Sequence, residues 1–499
     1  MFLIVSLVLT ALGALYVYLV WNFNYWKQRD VPGPTPTALL GNFPAFILRH
    51  RPFIDEMDEI YRNYKRKYNF VGVFTNRSPG IFVLSAGLAK DILVKKFKNF
   101  HDNEFSESTS KTADPILGRH PFMLSGEEWK EKRAEITPAF TTARMKPLFS
   151  NVEVAATQMK EYIEQCEGSS LDARELAAKF TTNAVSSCIF AVDAQSFSHE
   201  KPEIREMSRR LMEHSFMSFI QFLFVGAFPK IANMLNVGIV SKSVEKFFTK
   251  LMAQAIQHRT SATEKPVDYL DFLINLQNRK QLSALDMAAH GVTFFLDGLE
   301  TSSSAISFVL YELARNPSIQ QRLREELLHA TNVDGTISYD TLLDLPYLDQ
   351  VLNEALRLWP PGAFMSKRCT EPIDLDLTSN QNVRIEKGVC AIINIWSIHR
   401  DPDYYNDPLT FDPDRFHPET GGTGPYREKG CFIPFGEGPR QCLGMRFARM
   451  QVKRGIYEVI KNFKLTLDPK TRIPLQIDPK QFLTVALGGI WLKFEAIRM

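Results

Sequence analysis

The sequence has no excess of charge of either sign. Its 499 residues hold 59 basic and 56 acidic side chains, a formal charge of +3, so no global field draws it toward nucleic acid. There is no C-x-x-C pair among its six cysteines, Cys166, Cys188, Cys369, Cys390, Cys431 and Cys442, and no regular spacing between them. That argues against a zinc site and a disulfide framework, suits a reducing compartment, and leaves most cysteines as small buried hydrophobes. No G-x-G-x-x-G follows a strand-like run and opens a helix; "GEGPRQ" fails at its last glycine, so no dinucleotide-binding element is expected. Repeats, low-complexity tracts and internal linkers are also lacking, so one large body is expected although the length alone would suggest about three domains. Hydrophobic residues at 45% and charged residues at 23% supply an ordinary globular core.

One stretch lacks charge altogether. Phe2 to Trp26 carries no charged side chain, and Phe2 to Trp21 provides roughly the 20 mostly apolar residues that span a bilayer. The basic start and small-residue cleavage site of a signal peptide are missing, so residues 1–26 read as a retained transmembrane anchor. Lys27 and Arg29 follow and assign the rest to the cytoplasmic face, with Trp21, Tyr25 and Trp26 at the interface. Residues 27–45 then form a proline-rich hinge, because Pro32, Gly33, Pro34 and Pro36 stop any helix leaving the membrane. Residues 46–499 make the body.

What is present is mostly helix. Strand-like runs are few, at 80–86, 389–396 and 483–494, so the fold class is mainly α with a minor β-sheet. The longest helix is announced by a capping box, Ser283 with Asp286, and runs to Asn316, where Pro317 closes it. At about 1.5 Å per residue it reaches about 50 Å, a central beam. Midway, "FFLDGLETSSSAISF" sets Asp297, Gly298, Glu300, Thr301 and three serines into apolar sequence. Such residues are poor helix formers, at about 0.5 to 1 kcal/mol each, and a break inside a buried helix points to function, with a kink or solvated patch as the plain alternative. In "YLDQVLNEALRLWPP", Leu348, Val351, Leu352, Ala355 and Leu356 form one stripe while Glu354 and Arg357 share another face. Residues 399–416 are turn-rich and end at Arg415; "FGEGPRQCLG", 435–444, then surrounds Cys442 with glycines.

E-x-x-R, D-P-D-R-F and F-x-x-G-x-R-x-C-x-G, in this order and at these separations, resemble the cytochrome P-450 superfamily of haem-thiolate monooxygenases. The resemblance covers nearly the whole chain, and "FIPFGEGPRQCLGMRFA" and "IHRDPDYY" look most like the membrane-bound microsomal type that includes insect and vertebrate detoxication enzymes. It implies the P-450 fold, with the long central helix over haem b. Cys442 would be the iron ligand, its thiolate pushing electron density toward O–O cleavage. Gly436, Gly438 and Gly444 would let the backbone approach the macrocycle, and Phe435 would screen the sulfur from water. Arg440, with Trp129 and Arg133 of a W-x-x-x-R pair, would hold the propionates; Lys367 or Arg368 would add a contact, strand parity leaving the choice open. Glu354, Arg357 and Arg415 would form a buried charge network behind the haem.

On the other face, Glu300 and Thr301 match the family's acid–alcohol pair, a proton relay, although the Thr301 hydroxyl could instead bond a carbonyl one turn earlier. Asp297 departs from the pattern, which usually has Ala or Gly there. Four residues before Thr301, it is expected with Phe294 at the substrate pocket, either narrowing it and holding a polar or basic group or turning aside to a nearby donor. Residues 105–122, 215–231 and 481–489 would line or cover the same cavity, the second dipping into the bilayer. Electrons would come from NADPH through a separate membrane-bound flavoprotein reductase, with cytochrome b5 as a further partner, docking on Lys130, Lys132, Arg446 and Arg449. The resemblance thus implies an endoplasmic reticulum monooxygenase that inserts one atom of O2 into lipophilic xenobiotics, hormones or lipids. A haem-thiolate isomerase or dehydratase working without O2, and a non-enzymatic haem sensor, stand as alternatives.

Overall fold

The computed structural model describes residues 2–497 except 108, 110, 199–201, 213–215 and 264–267. The expected beam is a 32-residue helix, Ala284–Arg315, and both arms of its capping box form: Ser283 Oγ accepts the Asp286 N–H at 3.1 Å, and the Asp286 carboxylate accepts the Ser283 N–H at 3.3 Å. Pro317 opens the next helix, Pro317–Ala330, where its missing N–H costs nothing. Three helices pack along the beam: Ala173–Phe190, Lys242–Ser261 and Met445–Asn462. Close approach needs small residues, and a Cβ on Gly455 would stand 2.9 Å from the Phe180 ring. Phe190, Phe248 and Phe295 fill the contact with ring centroids 5.2 to 5.7 Å apart along the chain Phe190–Phe295–Phe248. Burial of each such ring stabilises by about 1.5 to 3 kcal/mol.

The sheet content is small, as expected, but more divided. One four-stranded sheet runs in the order Phe70–Thr75, Ser78–Val83, Cys390–Ile393, Met365–Arg368, and only the middle pair is parallel. Smaller sheets pair Ile373–Thr378 with Gln381–Ile385, and Ser170–Asp172 and Phe463–Leu467 with Trp491–Ala496. The strand expected over 483–494 therefore begins only at Trp491, because Gly488 and Gly489 turn the backbone to positive φ just before it.

The N-terminal helix, Phe2–Val20, leaves Leu3, Ile4, Val5, Leu7, Leu9 and Val17 exposed. Among the described residues no helix is long and apolar enough to cross a membrane. Trp26 is not an interfacial residue: it is buried, its ring lies where a Cβ of Gly72 would be, and its Nε1 donates to Val73 O at 3.0 Å. The hinge is likewise seated on the sheet, with Gly72 N donating to Pro32 O at 2.8 Å.

Candidate active site

The cysteine loop is shaped before it reaches Cys442. Gly436 and Gly438 take positive φ, 69° and 72°, and a Cβ on Gly438 would stand 2.1 Å from Leu93 O. Glycine at 438 is therefore required by the backbone behind the loop, a different reason from the expected clearance for a cofactor. Gly444 has neither constraint, and its N–H is directed at the Cys442 sulfur. Cys442 N donates to Phe435 O at 2.9 Å, closing the loop, and the Phe435 ring packs against the core. Of the six cysteines Cys442 alone is exposed. Its surface opens into a recess rather than bulk water, and the recess walls push the thiol up to about 11; Asp297 adds to this, while the Gly444 N–H and Arg133 oppose it.

Cations gather at one edge of the recess. Trp129 and Arg133 lie on the helix Gly126–Ile136, with Arg133 Nη2 donating to Gln441 O at 2.7 Å. Arg440 stacks its guanidinium over the Trp129 ring at 4.0 Å and donates to Asp102 Oδ1 at 3.2 Å and Leu124 O at 3.0 Å. Strand parity is resolved by pairing: Lys367, opposite Ala391, is buried, whereas Arg368 is half-buried and reaches Glu104 O at 3.2 Å. Lys367 Nζ donates to Asn103 Oδ1 at 2.6 Å, and burial together with nearby Arg440 lowers it to about 7. Arg133 and Arg440 are also lowered, chiefly by burial, Arg440 to about 10. Three desolvated cations on one edge favour an anionic group there.

Behind the loop the expected charge network is assembled. Arg357 Nε and Nη2 each meet a Glu354 carboxylate oxygen at 2.7 Å, and Arg415 Nε reaches Glu354 Oε1 at 3.3 Å. The remaining Arg357 N–H groups are taken by the carbonyls of His399, Pro408 and Thr410, at 2.8, 2.7 and 3.2 Å. A buried ion pair persists only when its spare donors and acceptors are met, as they are here.

The central helix faces Cys442 across the recess. Thr301 Oγ1 donates to Asp297 O at 2.6 Å, the back-bonded arrangement. The Asp297 side chain is 66% exposed between buried Phe295 and Leu299, and its Oδ1 lies 3.3 Å from His120 Nε2. Glu300 turns away from the recess: Arg174 Nη2 meets it at 3.2 Å and Arg205 Nη1 at 3.0 Å, and Arg205 is shared with Glu175 at 3.0 Å. Phe294 is buried and stacked 4.8 Å from Tyr269, with Phe447 at 4.9 Å and Phe140 at 5.1 Å, in an aromatic cluster that reaches Gly298 and Gly444.

The three expected pocket segments do meet. Successive ring contacts of 5.3 to 6.4 Å run Phe122–Phe105–Phe482–Phe364–Phe53–Phe46–Phe219, joining 105–122, 481–489 and 215–231 into one aromatic wall. Ser108, Ser110 and Ser215 of those segments lie outside the described residues. Phe46, Phe53, Phe364, Arg174 and Arg205 were not foreseen, since their partners are distant in sequence. His120 fell within an expected segment, and a carboxylate on a buried helix face is itself the signal that a donor is needed. Among the four cations expected to dock a redox partner, Lys132 is held by Glu135 at 3.2 Å and Arg449 by Asp349, so the patch is partly neutralised.

An exposed cysteine facing a long helix, with three desolvated cations at one edge, suits a flat, doubly anionic metal macrocycle, and defines a haem-thiolate protein. The sequence profile of the family described as Cytochrome P450 matches residues 31–492. The chain belongs to the cytochrome P450 family. It is 36% identical to "Probable cytochrome P450 28a5" of Drosophila melanogaster over 502 residues, covering 99% of each chain. It is 35% identical to "Probable cytochrome P450 309a1" of the same fly, covering 100% of each, and 34% identical to "Cytochrome P450 6A1" of Musca domestica, covering 99% of this chain and 98% of that one. It is accordingly a monooxygenase that uses haem b, O2, an organic substrate and an external electron donor.

Proposed function

We propose that the enzyme is held at the cytoplasmic face of the endoplasmic reticulum and inserts one oxygen atom into lipophilic organic substrates, foreign compounds or endogenous hormones and lipids. The observation that carries the substrate class is the aromatic wall, whose Phe122 end is bonded through its N–H to His120, the partner of Asp297. Such a lining rewards burial of apolar surface, and its few polar groups set orientation. The apolar side chains exposed on Phe2–Val20, with Met217, Ile220, Ile231 and Met234, support membrane attachment near the same side chains that line the cavity.

Bound through Cys442, haem would supply oxygen activation. Arg133, Arg440, Lys367 and Trp129 would hold its propionates, and the Gly444 N–H would steady the sulfur. The Thr301 hydroxyl, turning from Asp297 O, would donate a proton in the recess, replenished by Glu300 when one of its arginines releases it. NADPH would be the electron source through a separate flavoprotein reductase, with cytochrome b5 as a second donor; Lys130 and Arg446 remain turned outward for docking. The test is reductase-dependent consumption of NADPH and O2 by the reconstituted holoenzyme, with a panel of lipophilic compounds screened for shifts of the haem spectrum. Coupled consumption with an oxygenated product is expected; a spectral response with no reductase-dependent turnover would defeat the reading.

A further inference from the structure

The central helix brings two carboxylates near the recess and treats them oppositely. Glu300 is 4% exposed and shared by two guanidiniums, so its charge is cancelled. Asp297 is 66% exposed, and its side-chain partner among the described residues, His120, is 8% exposed. The Phe122 N–H donates to His120 Nδ1 at 3.1 Å, so Nδ1 carries no proton and Nε2 holds the imidazole's hydrogen. His120 thus meets Asp297 Oδ1 as a neutral N–H donor: it orients the carboxylate without neutralising it. Among the described residues no Lys or Arg forms an ion pair with Asp297. A second tether, Arg119 Nε to Asp286 Oδ1 at 3.1 Å, fixes the same segment to the helix three turns earlier, so the position of His120 is held from both sides.

The Asp297 carboxylate therefore stands, with no cation paired to it among the described residues, beside the segment that carries Phe122, whose ring stacks on Phe105 at 6.1 Å. A neutral apolar ligand would have to desolvate that carboxylate without recompense, whereas a ligand cation would meet it and lay its hydrocarbon on the rings, which also attract cations. Resting on the monooxygenase reading above, we infer that the preferred substrates are lipophilic amines bound as their ammonium ions, with Asp297 as the charge partner and His120 as the residue that positions it. The cation docks on the second oxygen of Asp297, Oδ2, while Oδ1 stays on His120. Selectivity then comes from two terms, charge at one end of the substrate and apolar area along the rest.

The discriminating probes are (4-phenylbutyl)trimethylammonium, whose nitrogen has no lone pair for iron, and its neutral carbon isostere, 5,5-dimethylhexylbenzene. Each is titrated against holoenzyme by the substrate-induced shift of the haem spectrum. The ammonium is expected to bind at least 10-fold tighter than the isostere. Asp297→Asn, which keeps shape and removes charge, should erase that preference while the isostere binds as well or better. His120→Ala should weaken the ammonium several-fold and His120→Gln, which retains an N–H donor, should restore it, a rescue that a merely structural role would not give. The reduced carbon monoxide spectrum checks that each variant holds its haem thiolate. If the isostere matches the ammonium, or Asp297→Asn leaves the preference intact, the amine assignment falls while the monooxygenase reading stands. If neither probe perturbs the haem and no lipophilic compound supports turnover, both fall.

Discussion

Among the described residues two buried glutamates each hold two arginines, and they do so in different ways. Glu354 and Arg357 are three residues apart on one helix, bond through two contacts of 2.7 Å and are fully buried. Every spare group of that pair is taken up, down to the Asp412 N–H on Glu354 at 2.9 Å. Glu300 draws its arginines from two other helices, Ala173–Phe190 and Glu203–Met212, through single contacts of 3.2 and 3.0 Å. Both arginines there leave a buried Nε without a partner. The first triad is closed, so it fixes the backbone behind the cysteine loop; the second is under-satisfied, so one arm can release. Rigidity is placed behind the iron ligand and compliance where protons must move.

The sharpest way to break this contrast is to remove one arginine from each triad. Arg357→Ala strands a buried carboxylate and three carbonyls, a loss of about 3 to 5 kcal/mol, and is expected to abolish haem-loaded protein. Arg205→Ala leaves Glu300 on Arg174, and the variant should fold and bind haem. Haem content per chain measures both. Normal haem content in Arg357→Ala would remove the structural role of the closed triad.

The contrast also explains what could be read ahead of the structure. Glu354 and Arg357 were legible because a three-residue spacing on a helix is a local geometry, and the capping box at Ser283 is local in the same sense. Arg415 came only from the family resemblance. The arginines of Glu300 lie 126 and 95 residues away, with no periodicity linking them, so nothing in the sequence announces them. Trp26 was misread for a similar reason: next to an apolar stretch an aromatic residue looks interfacial, and only the strand carrying Gly72 reveals its seat in the sheet. Asp297 was visible as an anomaly but its partner was not, and the aromatic cluster around Phe294 draws Tyr269, Phe447 and Phe140 from other helices that no spacing links to it.

A second test addresses release. Glu300→Gln keeps the volume and removes the acid, so turnover should fall on the order of 100-fold, the lower end of general acid contributions, with haem content unchanged. A matching loss of haem would mean that the distal triad is as structural as the proximal one.

Lys367 extends the comparison to a buried cation that makes no ion pair among the described residues, its amine bonding Asn103 while Asp102 acts on it only from a distance. Burial holds its amine at about 7 in the protein, whereas an unfolded lysine titrates near about 10.4. Between those values the unfolded chain binds the extra proton, so the stability of haem-free protein should rise with pH from about 7 to about 10, by up to about 1.4 kcal/mol per pH unit. Lys367→Met should flatten that slope. In the holoenzyme a propionate would keep the amine charged, and the slope should shrink; equal slopes with and without haem would take Lys367 away from the propionate.

The smallest effect is expected at the outer edge of the distal triad. Glu175 is half-exposed and competes with Glu300 for Arg205, whose Nη2 it takes at 3.0 Å. A pair whose carboxylate is half-exposed contributes about 0.2 to 1 kcal/mol, so Glu175→Gln should barely move the melting temperature. Its value lies in direction. With the competitor neutralised, Arg205 sits more fully on Glu300 and releases it less often, so turnover should fall about two- to threefold, an energy under about 1 kcal/mol on the barrier. Arg205→Ala, which frees one arm, should move turnover the other way. If both variants shift it in the same direction, Glu300 is held for packing alone, and the compliance attributed to the distal triad has no part in proton delivery.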